Sequence, residues 1–114
     1  METNIKIDSR SAIASLAALA QGHRFALFRL LAQAGEDGMP AGAIAEALGL
    51  PNSSLSFHLG QLSRAGLIRQ QRLHRSITYT ADYDAMNTLI AYLLENCCGG
   101  GACPRASDSS VGLG

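Results

Sequence analysis

Apolar residues recur at helical spacing along most of the chain, and glycine or proline marks the breaks. Residues 1–7 show no periodicity, which predicts fraying. Asp8 or Ser9 can cap a first helix reaching about Ala20, with Ile13, Leu16, Ala17 and Ala20 on one stripe at i, i+3, i+4 and i+7. Gly22 separates it from a second helix, about His23–Ala34, where Leu27, Leu30, Leu31 and Ala34 share a face widened by Phe25 and Phe28. A face that broad predicts burial on more than one side. After a loop at residues 35–38, Pro40 precedes a third helix, about Ala41–Leu48, with Ile44, Ala45 and Leu48 inward and Gly49 as a left-handed cap. Pro51 stands near the first turn of a fourth helix that runs to about Ala65 and stops at Gly66.

Two strands follow, Leu67–Leu73 and Ser76–Ala81, the second alternating Ile77, Tyr79 and Ala81 against Ser76, Thr78 and Thr80. The turn between them, His74-Arg75, has neither Gly nor Asn, so its type is open. Asp82 or Asp84 caps a fifth helix in which Met86, Leu89, Ile90, Leu93 and Leu94 fit i, i+3, i+4, i+7 and i+8, ending at Gly99. The order is ααααββα, a mainly α fold with a β-hairpin. Residues 1–8 read as a flexible N-terminus and 9–98 as one domain. Residues 99–114, rich in Gly and Ser, read as a flexible tail carrying Cys103.

A length of 114 residues suits one domain, and 47% hydrophobic against 16% charged residues excludes a disordered chain. The zero net charge hides an asymmetry. Residues 47–81 hold four of the nine basic residues and none of the nine acidic ones, so this stretch carries +4 and the remainder −4. A local anionic partner fits that distribution better than a basic tail. No apolar run approaches the ~20 residues of a membrane span, which predicts no membrane partner. Ala18-Leu19-Ala20 has the form of a signal cleavage site, but Ser15 interrupts the preceding run and Ser9-Arg10 opens it like a helix cap. Three cysteines within residues 97–103 make no disulfide framework, so a cytoplasmic location is expected.

On a wheel of 100° per residue with Leu55 at the origin, Leu59 falls at about 40° and Leu62 at about −20°, one narrow inner stripe. Ser53, Phe57, Gly60 and Arg64 fall within about 40° of the opposite pole. That face offers hydroxyl and guanidinium donors to phosphates and base edges, and a Phe that can meet a thymine methyl. Ser53 and Ser54 stand near the helix N-terminus, where free N–H groups favour phosphate. Two helices joined by Gly49-Leu50-Pro51, followed by a hairpin bearing Arg69, Arg72, His74 and Arg75, predict a winged helix–turn–helix that binds double-stranded DNA. Paired helices and charged strands are common features taken singly; here both lie in the acid-free window.

Four segments carry a family resemblance: Leu19-Ala20-Gln21-Gly22-His23-Arg24, Ile44-Ala45-Glu46-Ala47-Leu48-Gly49, Ser54-Leu55-Ser56-Phe57-His58-Leu59-Gly60-Gln61-Leu62 and Ala65-Gly66-Leu67-Ile68. Over about residues 9–96 the chain resembles the ArsR/SmtB family of metal- and metalloid-responsive repressors. The resemblance implies a homodimer with the first and last helices at the interface and the fourth helix in the major groove of a palindromic operator. It also adds Ser54, Ser56 and His58 to the DNA-contact candidates, although the wheel puts His58 on the flank. Arg24 fits packing better than DNA contact.

Cys97, Cys98 and Cys103 are the distinctive chemistry. Thiolates select soft ions, and three of them suit the three-coordinate pyramidal preference of trivalent arsenic and antimony, whereas tetrahedral zinc needs a fourth ligand. The glycines at 99–101 let Cys103 approach the other two. Some members of the resembled family carry a Cys-x-Cys motif near the fourth helix, and others Asp/His/Glu ligands on the last. This chain has no cysteine in the first place, and only Asp82, Asp84 and Glu95 in the second. The C-terminal arrangement is similar to one arsenite-responsive subtype. The expectation is therefore a repressor of arsenic-resistance genes, needing no cofactor to bind DNA, with As(III) or Sb(III) as inducer. The competing readings are a repressor of the same fold answering to thiol oxidation or to cadmium or lead, and a winged-helix protein-interaction module. No grouping of nucleophile, base and orienting residue and no phosphate-cradling Gly-rich loop points to an enzyme.

Overall fold

Side-chain caps open three of the helices. Asp8 accepts from the Ser11 N–H at 2.9 Å and starts α1, Ser9–Leu19. Gln21 accepts from the Arg24 N–H at 2.9 Å and starts α2, Gly22–Ala34, so Gly22 is the first residue of the second helix. Asp82 accepts from the Ala85 N–H at 3.0 Å and starts α5, Tyr83–Leu93. Each cap satisfies an N–H that a helix start would otherwise leave unpaired. The computed structural model describes residues 7–95. Between α2 and α5 it places α3, Ala41–Leu48, α4, Asn52–Arg64, and strands β2, Ile68–Leu73, and β3, Ser76–Ala81. A short 3-10 turn, Gly35–Asp37, and a two-residue strand β1, Met39–Pro40, precede α3.

Strand β1 is an addition to the expected hairpin. Met39 pairs with Tyr79 and Pro40 with Thr78, so β3 lies between β1 and β2 in an antiparallel sheet. Two residues carry no periodic signal, so only the pairing reveals this strand. Gly38 permits it: at φ 68° it turns the chain, and a Cβ there would sit 2.5 Å from the Tyr79 carbonyl oxygen. In the wing, Leu73 pairs with Ser76, and the tight turn places His74 at φ 58°, left-handed without a glycine. At the base of β3 both Thr80 and Ala81 are buried, because the central strand is covered on both sides there.

The core is built from Leu27 and Leu31 of α2, Ile44 and Ala45 of α3, Leu55, Leu59 and Leu62 of α4, and Leu67, Ile68 and Ala81 at the root of the wing. Gly49 at φ 66° ends α3 left-handed and turns the chain into α4. The apolar stripes of α1 and α5 are only partly used by this core. Helix α1 packs through Ala12, Ser15 and Ala18, whose small side chains let it approach α2 and α4 closely, and it leaves Ile13 64% and Leu16 41% exposed. In α5 only Leu89 is buried, with Met86 packed against the core, while Ile90, Leu93 and Leu94 are about half exposed. Tyr83 anchors α5 by donating its hydroxyl to the Ala32 carbonyl at 2.9 Å.

Candidate nucleic-acid interface

Helix α4 presents the face that the wheel defines. Leu55, Leu59 and Leu62 point into the core, and Ser53, Ser56, Phe57, Ser63 and Arg64 are exposed. Phe57 is 55% exposed, a large apolar surface set among hydroxyls. Ser54 is half-buried on the helix flank. Pro51 precedes α4 and contributes no side-chain cap, so the N–H groups of its first turn are left for solvent or an anion.

His58, a DNA-contact candidate by resemblance that the wheel puts on the flank, is the exception among these residues. Its side chain is buried, and Nδ1 lies 3.3 Å from Arg24 Nη1. A guanidinium can only donate, so Nδ1 accepts and the ring proton sits on Nε2. Arg24 also donates from Nε to the Ala18 carbonyl at 2.6 Å, clamping the end of α1 to α4. The His23 ring centroid is 5.6 Å away. Burial, and then the charges of Arg24 and His23, hold the His58 pKa below the ordinary histidine value of 6.5.

A pH dependence of stability follows. The fold keeps the ring neutral, whereas the unfolded chain takes up a proton near pH ~6.5. Stability is therefore lost as pH falls through about 6.5 toward the lowered folded value, and levels off below it. Urea midpoints between about pH 8 and pH 5 read this directly. His58→Gln, whose carbonyl can still accept from Arg24, is expected to flatten the curve. Parallel curves for the two proteins would show that another group carries it.

The wing arginines divide. Arg69 Nε bonds Asp82 Oδ2 at 3.1 Å, while the other oxygen of that carboxylate caps α5. Arg69 thus braces the junction of wing and last helix as well as facing solvent. Arg72 and Arg75 are exposed toward the hairpin end. Tyr79, which sequence reasoning did not single out, accepts a hydrogen bond from Gln70 Nε2 at 3.2 Å. That pair depends on strand register, and no local pattern encodes it.

The arrangement matches known regulators. Residues 19–71 fit a helix–turn–helix domain family. The HTH-type transcriptional regulator YgaV of Escherichia coli is 31% identical over 94 residues, 82% of this chain and 93% of YgaV. The ArsR-like transcriptional regulator from Rhodococcus sp. RHA1 superposes with a TM-score of 0.71 at 24% identity, over 81% of this chain and 83% of that one. The chain belongs to the helix–turn–helix transcriptional regulators, and its winged fold is that of the ArsR-like regulator. A third similar structure is the homodimeric DNA-binding domain of Mb0332 from Mycobacterium bovis, with a TM-score of 0.62 and 24% identity over 85% and 90% of the two chains. In this chain α4 and the β2–β3 hairpin occupy the second-helix and wing positions of that fold. No described helix is long and apolar enough to cross a membrane. Cys97, Cys98 and Cys103, and with them the expected tail at 99–114, lie outside the described residues.

Proposed function

We propose that the protein is a homodimeric, cytoplasmic repressor released from a palindromic operator when trivalent arsenic or antimony binds Cys97, Cys98 and Cys103, so that arsenic-resistance genes are expressed. The observation that carries this reading is three thiols beginning two residues after Glu95, directly beyond a helix that leaves Ile90, Leu93 and Leu94 about half exposed. Homodimeric Mb0332 supports the pairing of two copies. Arsenite exchanges its three hydroxyls for three cysteine sulfurs, each thiol proton leaving with a hydroxyl as water, and three sulfurs leave tetrahedral zinc without a fourth ligand. The ligand acts by binding the DNA-incompetent arrangement more tightly, because only differential affinity moves an equilibrium.

Titrating operator-bound protein with arsenite, antimonite, methylated arsenite, cadmium and zinc tests the inducer. Release by arsenite and antimonite near one per protomer, with zinc inert, is expected. An operator complex that survives saturating arsenite would overturn it.

The DNA contacts have their own test. Arg72→Ala and Arg75→Ala are expected to weaken cognate and random duplexes alike and to flatten the salt dependence, as phosphate contacts do. Ser53→Ala and Phe57→Ala are expected to weaken the cognate site by roughly 1–3 kcal/mol more than random DNA. Equal losses on both duplexes would remove the base-reading role from this face. Ser54, Ser56 and Arg64 are assigned to the backbone beside it.

A further inference from the structure

On its wing side, the outer face of α4 opens into a polar cleft of about 260 Å3, lined by Ser56, Leu59, Gly60 and Ser63 of α4 and by Gln70 and Tyr79 of the wing. Resting on the DNA-binding reading above, we infer that this cleft receives a phosphate of the DNA backbone and holds it through uncharged donors. Gln70 and Tyr79 are cross-strand partners, and the amide donates to the phenol oxygen at 3.2 Å. The tyrosine hydroxyl hydrogen and the second amide hydrogen of Gln70 are thereby left for a ligand, with the hydroxyls of Ser56 and Ser63 on the opposite wall. Groups of this kind donate to phosphate oxygens and fix a protein's position on the duplex. No acidic residue lines the cleft, and Arg72 and Arg75 lie further along the same hairpin.

Gly60 keeps the mouth open. It lies between the cleft and the outer face, and among the described residues a Cβ there would meet only the Arg64 guanidinium, at 3.6 Å. Glycine is a poor residue inside a 13-residue helix. Close approach by another backbone accounts for it, since no side chain then stands between the two chains.

Binding of Gly60→Ala and Tyr79→Phe to operator and random duplexes over a salt series, with melting temperatures, tests the assignment. Gly60→Ala is expected to melt a few degrees higher and yet bind both duplexes about tenfold more weakly, a combination that a merely structural glycine would not give. Tyr79→Phe is expected to lose roughly five- to tenfold on both, with an unchanged salt slope because the lost donor is uncharged. A methylphosphonate at one position per half-site is expected to weaken the parent protein but not to weaken Tyr79→Phe further. Parent-like binding by both variants would overturn the cleft assignment while leaving DNA binding intact. A parent protein that binds neither duplex would overturn the DNA-binding reading itself.

Discussion

Replacing Cys97, Cys98 and Cys103 together by serine is expected to leave operator affinity within about twofold of the parent and to abolish release by arsenite. Serine keeps the shape of the side chain but offers a hard, protonated oxygen where the soft centre requires a thiolate. The effect is large because of what release demands. Driving an operator complex from almost fully bound to almost fully free needs the ligand to prefer one state by about 10⁴-fold. A variant that holds no ligand has no such preference. The single variants separate the roles. Cys97→Ser and Cys98→Ser are expected to lose the response to every arsenical. Cys103→Ser is expected to lose the response to arsenite and to keep one to methylated arsenite, which has only two positions for thiolates. Fluorescence anisotropy of a labelled operator reads all four proteins. Arsenite-driven release of the triple variant would place the inducer elsewhere.

Ile90→Glu combined with Leu93→Glu is expected to convert a dimer into a monomer and to lower operator affinity by roughly 10²–10⁴-fold. Both side chains are already about half exposed in the single chain, so the fold has little to lose. With Ile13, Leu16 and Leu94 they leave two helices with apolar surface that the core does not use. A two-fold partner buries such a patch against itself, and glutamates there would face each other at the axis. The loss on DNA follows from geometry, since a dimer binds two half-sites about 34–36 Å apart and the second contact is intramolecular. Sedimentation at micromolar concentration and anisotropy on one duplex measure both effects, with circular dichroism confirming the retained helices. A parent protein that sediments as a monomer, or a double variant that remains dimeric, would remove these helices from the interface.

Order and type of the helices and of the wing are local properties, and the sequence alone determines them; their limits are less so, since α5 ends at Leu93 and not at Gly99. Asp8 and Asp82 supply acceptors to specific N–H groups, and Gly49 is left-handed where α3 must turn into α4. Leu55, Leu59 and Leu62 recur at a period that allows one inner stripe, which leaves Ser53, Phe57 and Arg64 outward. The charge window and the three thiols are equally independent of folding. Other features come from chain segments that meet only in space. Periodicity shows that α1 is amphipathic, but it does not show that the small residues Ala12, Ser15 and Ala18 turn inward while Ile13 and Leu16 turn out. That choice is made by how closely α1 must approach α2 and α4. His58 lies at the edge of its wheel, and only the fold shows that it is buried beside Arg24, 34 residues earlier. Arg69 reads as one more basic residue until the sheet brings Asp82 beside it. The donor cleft of Gln70 and Tyr79 exists only in the register that pairs them. Local sequence sets backbone geometry and polarity over one or two turns; which surface is buried and which charge is paired depends on neighbours supplied by distant segments, and only the tertiary structure decides those.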